Sequence, residues 1–185
     1  MPHPLLLLVL VTQAPPQGGG AVYRNDAYGF QLGVPAGWTQ EPDSVLHDRV
    51  LRMRRNGASE SETNYVAAFT RTPGRWTAYP YVLVQVNDVA ADDSQPGDLA
   101  SVAAELNSMT GGVARYDSGQ HAVLFRGGRG PARAGQVVLA FAGIRLTDRA
   151  LVSVLAYGME QDSLDTEAIR DRFLAGLKID RPPLR

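Results

Sequence analysis

The side chains of this chain that could do chemistry are few, and none converge on a familiar catalytic spacing. The three histidines are His3, His47 and His121. None has a second histidine at metal-ligand spacing, so a zinc site would need wholly non-local ligands. His47 precedes an expected strand and His121 begins one, and both read as surface or strand-edge residues. The run Gly57-Ala-Ser-Glu-Ser61 is not a nucleophile elbow, because Ser61 stands where the second glycine belongs. Ser153 alternates within an apolar run and reads as a packed hydroxyl. Glu60, Glu62, Asp92 and Asp93 sit in hydrophilic loops, where nothing shifts a carboxylate toward acid-base work. Asp92 and Asp93 followed by Asp98 do not reproduce the spaced ligands of an EF-hand. Neither a metal nor a cofactor is expected.

One loop could cradle a phosphate, and one other local cluster has binding-like composition. Gly127–Gly135 carries Arg129 and Arg133 beside Arg126, and glycine with arginine suits phosphate. It matches neither phosphate-binding glycine motif, so it reads as a flexible hairpin loop. The segment Arg71–Tyr81 concentrates arginine, tryptophan and tyrosine, the residue types enriched at interface hot spots. Arg75, Trp76 and Tyr79 are therefore the candidate partner-binding residues. The competing reading has Trp76 folding back over the edge of the core.

The elements that must position these residues begin with a hairpin. A short strand ends near Asn25, and Asn25-Asp-Ala-Tyr28-Gly29 supplies turn residues. Phe30, Leu32 and Val34 alternate with Gln31 and Gly33 as a half-buried strand does. Pro35-Ala-Gly37 stops the strand and Trp38 follows. The pattern aromatic-x-N-x-x-Y-G-F-x-L-x-V-P-x-G-W, spanning Tyr23 to Trp38, resembles the opening hairpin of the PsbP-like fold. That fold is shared by extrinsic photosystem subunits, a Ran-binding import factor and secreted bacterial proteins. The resemblance implies an architecture over residues 22–181, with Tyr28, Gly29, Phe30, Pro35, Gly37 and Trp38 in structural roles. By analogy it also favours an accessory or adaptor function.

Further strands are expected around Leu51–Arg54, Tyr65–Arg71, Tyr79–Asn87, Ala114–Tyr116, Ala122–Arg126, Gln136–Leu146 and Ala150–Tyr157. Pro80 sits at the start of its strand, where a missing ladder donor is tolerated. One helix is expected from Asp98, with Leu99, Val102, Leu106 and Met109 on one stripe. A second runs from about Leu164 to Leu177, capped by Ser163, and buries Ile169, Phe173 and Leu177. No β-α-β alternation is visible. The fold class is therefore α+β, an antiparallel sheet flanked by helices as an α/β/α sandwich.

Length and composition bound the rest. A chain of 185 residues with 44% hydrophobic and 20% charged residues is one ordinary domain. A net charge of −1 gives no push toward nucleic acid. Of the 18 basic residues 17 are arginine, scattered along the chain, with Lys178 the exception. The absence of cysteine removes disulfides, thiolate catalysis and a lipidated cysteine anchor. Leu5–Val11 is an apolar run too short to span a bilayer, and the spacer Gln13–Gly20 follows it. Residues 1–21 thus read as a signal peptide and linker, although no Lys or Arg precedes the run. Residues 182–185 are a tail.

The expected function is a non-catalytic, exported accessory domain that engages a protein partner, as a monomer rather than an obligate oligomer. The alternatives are a small-ligand carrier and a hydrolase with dispersed carboxylates.

Overall fold

The computed structural model describes residues 20–60, 63–72, 79–88, 96–110, 112–132, 136–146, 150–159 and 163–180. A hairpin opens it. Strand β1 (Val22–Asn25) pairs antiparallel with β2 (Phe30–Gly33), placing Tyr23 opposite Leu32 and Asn25 opposite Phe30. Asn25 Oδ1 accepts the Tyr28 N–H at 3.2 Å, and Gly29 takes a φ of 67° that a side chain would resist. The last strand, β10 (Leu177–Ile179), adds to the other side of β2.

A larger sheet has the order β3-β4-β5-β9-β8-β7-β6, and every neighbouring pair is antiparallel. Its strands are β3 (Thr39–Gln40), β4 (Tyr65–Thr70), β5 (Tyr81–Asp88), β6 (Val113–Asp117), β7 (Ala122–Ala132), β8 (Gln136–Leu146) and β9 (Ala150–Met159). The helices are α1 (Asp43–Arg55), α2 (Pro96–Thr110) and α3 (Ser163–Gly176).

Strand periodicity explains how the layers form. On β5, Val82, Val84 and Val86 face one side and Tyr81 and Leu83 the other. The valine side meets Phe30, Leu32, Trp38, Ile169, Phe173 and Leu174, so the small sheet and α3 cover that face together. The opposite face is covered at one end by α1, through Leu46, Val50 and Met53 over Tyr65, Ala68 and Leu83. At the other end α2 covers it, through Leu99 and Ala103 over Ala114 and Val123. The result is an α+β sandwich of three layers, the class expected from the order of elements.

Four local expectations need correction. Leu51–Arg54 is not a strand but part of α1, so His47 lies on a helix. Leu46, Arg49, Val50 and Met53 recur at helical spacing, whereas Leu51 is exposed. Asn56-Gly57 ends this helix: the Gly57 N–H reaches the Arg54 carbonyl and the Ala58 N–H reaches that of Met53, with Gly57 at a φ of 92°. Second, residues 127–132 are not loop but belong to β7 and pair with β8. Third, α2 begins at Pro96, which puts Asp98 inside its first turn. Fourth, α3 ends at Gly176, and Leu177, although it continues the buried stripe, starts β10.

Glycine sets the fit of α3. A Cβ on Gly158 of β9 would run into the Thr166 side chain, and one on Gly143 of β8 into Leu174. Gly33 and Gly176 bring β2 and the end of α3 into backbone contact, with a Cβ on Gly176 only 2.7 Å from the Gly33 carbonyl oxygen.

Candidate functional site

A groove of about 700 Å³ lies where three elements meet. Tyr23–Ala27 of the opening hairpin form one wall, and Asp43, His47, Val50, Leu51 and Arg54 of α1 form another. Thr63–Val66, leading into β4, complete the lining. The groove exists because β3 pairs only with Phe69 and Thr70, leaving the first half of β4 as a sheet edge. β-Sheet edges carry unpaired backbone groups that must be dealt with. Here the Tyr23 hydroxyl donates to the Val66 carbonyl at 2.9 Å and accepts from Asn25 Nδ2 at 3.1 Å. Burial raises the Tyr23 phenol above its ordinary value; the Asn25 hydrogen bond opposes this and the Asp43 charge adds to it.

The groove is chemically mixed. Leu51 is 42% exposed on the α1 wall. Arg54 is held by Thr63 Oγ1 at 2.8 Å and by Glu60 at 3.7 Å. Arg24 is exposed and meets no acidic partner among the described residues.

A row of tyrosines lies on the sheet face that α1 and α2 share. Tyr79, Tyr81 and Tyr157 stack in a row with ring centroids 5.4 and 4.8 Å apart. The buried Arg49 guanidinium sits 5.0 Å from the Tyr81 ring centre and bonds the Tyr81 hydroxyl at 3.3 Å. Of the expected partner-binding residues, Tyr79 heads this row, whereas Arg75 and Trp76 lie outside the described residues.

Chemistry-bearing residues stay dispersed. His121 occupies a turn at a φ of 47°, with its Nδ1 3.4 Å from the Tyr116 hydroxyl. Ser153 is buried in β9. Arg126 pairs with Glu167 at 3.4 Å. His3, Ser61, Glu62, Asp92, Asp93 and Arg133 fall outside the described residues. Among the described residues no three acidic or histidine side chains come together to hold a metal. None of the described helices is long and apolar enough to cross a membrane.

Phe30 and Phe173 are fully buried, and Trp38 stands edge-on to Phe173 at 5.2 Å and 89°. The Pro35 carbonyl accepts the Trp38 N–H at 3.2 Å across Gly37, whose φ is 80°. Sequence reasoning missed Glu41, a carboxylate 4% exposed between β3 and α1. Its N–H donates to the Ala68 carbonyl at 2.9 Å, while both its carboxylate oxygens are buried without a hydrogen-bond partner among the described residues. It also missed the groove, whose walls come from segments that share no motif.

No protein-family model matches the sequence, and no curated protein matches it. Solved structures do. A Bacteroides thetaiotaomicron protein known from a crystal structure matches with a TM-score of 0.58 at 11% identity, over 91% of this chain and 51% of its own. The present chain thus spans about half the length of that protein. LpqN, involved in cell envelope biogenesis of Mycobacterium tuberculosis, gives a TM-score of 0.48 at 13% identity, covering 89% of this chain and 87% of LpqN. Cyanobacterial PsbP from Synechocystis gives 0.46 at 10%, covering 91% and 98%, and a Mog1 variant gives 0.45 at 8%, covering 89% and 97%. At such identities the likeness is one of fold, and these structures include members of the PsbP-like fold that the opening hairpin resembles.

Proposed function

We infer that this domain is a non-catalytic binding module, working outside the cytoplasm, that engages a protein partner through the groove between β1, α1 and β4. The observation that carries this reading is the groove itself. It combines an exposed apolar side chain, Leu51, with an exposed cation, Arg24, on a wall built from a β-strand. Apolar contact with a polar rim is the usual make-up of a protein interface. Export rests on the Leu5–Val11 run and its spacer. Arg75, Trp76 and Tyr79 are proposed as a second contact region.

The test is site-specific photocrosslinking in the intact cell envelope. A photoreactive residue at Leu51 should trap one discrete protein, and a second at Trp76 should trap the same one. A third at Arg172, on the outer side of α3, should trap nothing. Equal or absent labelling at all three positions would reject the reading. The volume of the groove also suits a small ligand, which supports the carrier alternative. Native mass spectrometry distinguishes the two, because a carrier retains an added mass and a protein-binding module does not.

A further inference from the structure

Among the described residues, the backbone of β1 is unpaired on the side away from β2. The Val34 N–H donates to the Ala21 carbonyl at 2.7 Å, so that pair is a hydrogen-bonded rung. The next rungs in register are Tyr23 with Leu32 and Asn25 with Phe30. In an antiparallel ladder the residues between rungs turn their N–H and C=O groups away from the partner. Those residues are Val22 and Arg24. The other side of β2 gives the same phase independently: the Asp180 N–H donates to the Gly29 carbonyl at 2.9 Å, which makes Lys178 with Gln31 a rung. Gln31 therefore spends its backbone groups on β10, and Arg24 opposite it keeps its own pointing outward.

The large sheet treats its outward-facing groups differently. The Tyr23 hydroxyl takes the Val66 carbonyl on β4, and the Asn107 amide takes both backbone groups of Ala114 on β6. Among the described residues nothing bonds the backbone of Val22 or Arg24. Of these two residues Arg24 also lines the groove, so the open edge of β1 borders it there.

We propose that the groove takes an extended peptide segment of the protein partner. The segment adds to β1 as a further strand of the small sheet and sets a carboxylate side chain opposite Arg24. This rests on the reading of the groove as the partner site and adds the mode of recognition. Backbone bonds to Val22 and Arg24 hold the segment, as in other cases of strand addition. Opposite charges across a strand pair supply the preference for Asp or Glu, since Arg24 is exposed and lacks an acidic partner among the described residues. Side chains of the opposite parity meet Val50 and Leu51 of α1.

The probe is a random linear peptide library displayed on phage and selected against the whole protein. Selected peptides should carry alternating apolar residues with Asp or Glu between them. Arg24→Pro removes the outward N–H at a position that gives β2 no bond, so the fold should tolerate it. It should weaken the selected peptides by at least about tenfold, the effect of one lost hydrogen bond at the strong end of the range, with the loss of the Arg24 charge adding to it. Methylating alternate backbone nitrogens of the peptide should do the same on the unaltered protein. Arg24→Glu should reverse the preference, favouring copies with Lys in place of Asp or Glu. If Leu51→Glu abolishes binding while Arg24→Pro and the methylated peptides bind as before, strand addition is wrong and the groove reading stands. If no peptide is enriched, or enriched peptides ignore all three variants, both are wrong.

Discussion

The Asn107 side chain closes the outer edge of β6 at Ala114. Its Oδ1 accepts the Ala114 N–H at 2.6 Å and its Nδ2 donates to the Ala114 carbonyl at 2.8 Å. One carboxamide thus imitates a neighbouring strand at a point where Val113 is 68% exposed and a second chain could dock. Asn107→Ala should cost about 1 kcal/mol of stability and raise self-association. Light scattering at rising protein concentration checks this. A variant that stays monomeric at concentrations where the unaltered protein does would show that the amide is not what guards the edge.

The layers were legible where apolar residues alternate strictly. Val82, Val84 and Val86 announced one buried face and Leu83 the other, and the β8–β9 hairpin could be drawn from its turn residues. Helix α1 was not legible, because its core-facing stripe includes Arg49. A charged residue at a buried position breaks the helical pattern, and Leu51 and Met53 then imitate a strand. The burial of Arg49 depends on tyrosines from other strands, with ring centres 5.0 and 6.0 Å away. No local window contains them. Strand β10 was hidden for the opposite reason. Leu177 lies four residues after Phe173, and its burial serves a strand as well as it would a helix. The groove was out of reach because Tyr23, Leu51 and Asn64 meet only after both sheets form.

Trp38 and Phe173 form the aromatic contact that ties the end of the hairpin to α3. Phe173→Ala should cost about 3–5 kcal/mol, the range for a buried Phe. Trp76→Phe leaves Trp38 as the sole tryptophan, and its emission should be blue-shifted because the residue is only 7% exposed. Emission of a fully hydrated indole from that folded variant would contradict the packing.

Gly158 lets α3 lie flat on β9 beside Thr166. Gly158→Val should cost about 1–3 kcal/mol through overpacking. Thr166→Ala in the same chain should recover part of the loss, because the two sites share one contact. Denaturant unfolding of the single and double variants measures this coupling. Strict additivity would mean that the strain lies elsewhere.

A chain beginning at Val22 should keep the fold. The described hydrogen bond it forgoes is the one from the Val34 N–H to the Ala21 carbonyl. A loss of about 1 kcal/mol lowers Tm by about 2–4 °C for a domain of this size. A fall several times larger would show that residues 1–21 pack into the domain and are not a detachable leader.

Tyr23 makes stability depend on alkaline pH. Its phenol is raised from 10.0 chiefly by burial, so the folded chain holds this proton after the unfolded chain has released it. The contribution is complete below about pH 10, the value in the unfolded chain. It is lost as pH climbs from there through the folded value, because each released proton then favours the unfolded state. Tyr23→Phe removes the titration along with the bond to the Val66 carbonyl. At about pH 8 the variant should be less stable by about 1 kcal/mol. The gap should narrow above about pH 10. The other six of the seven tyrosines are common to both chains and cancel in the difference. A gap that stays constant into the alkaline range would mean that the Tyr23 hydroxyl is as well hydrated in the folded protein as in the unfolded one, and that the groove wall it forms is open to water.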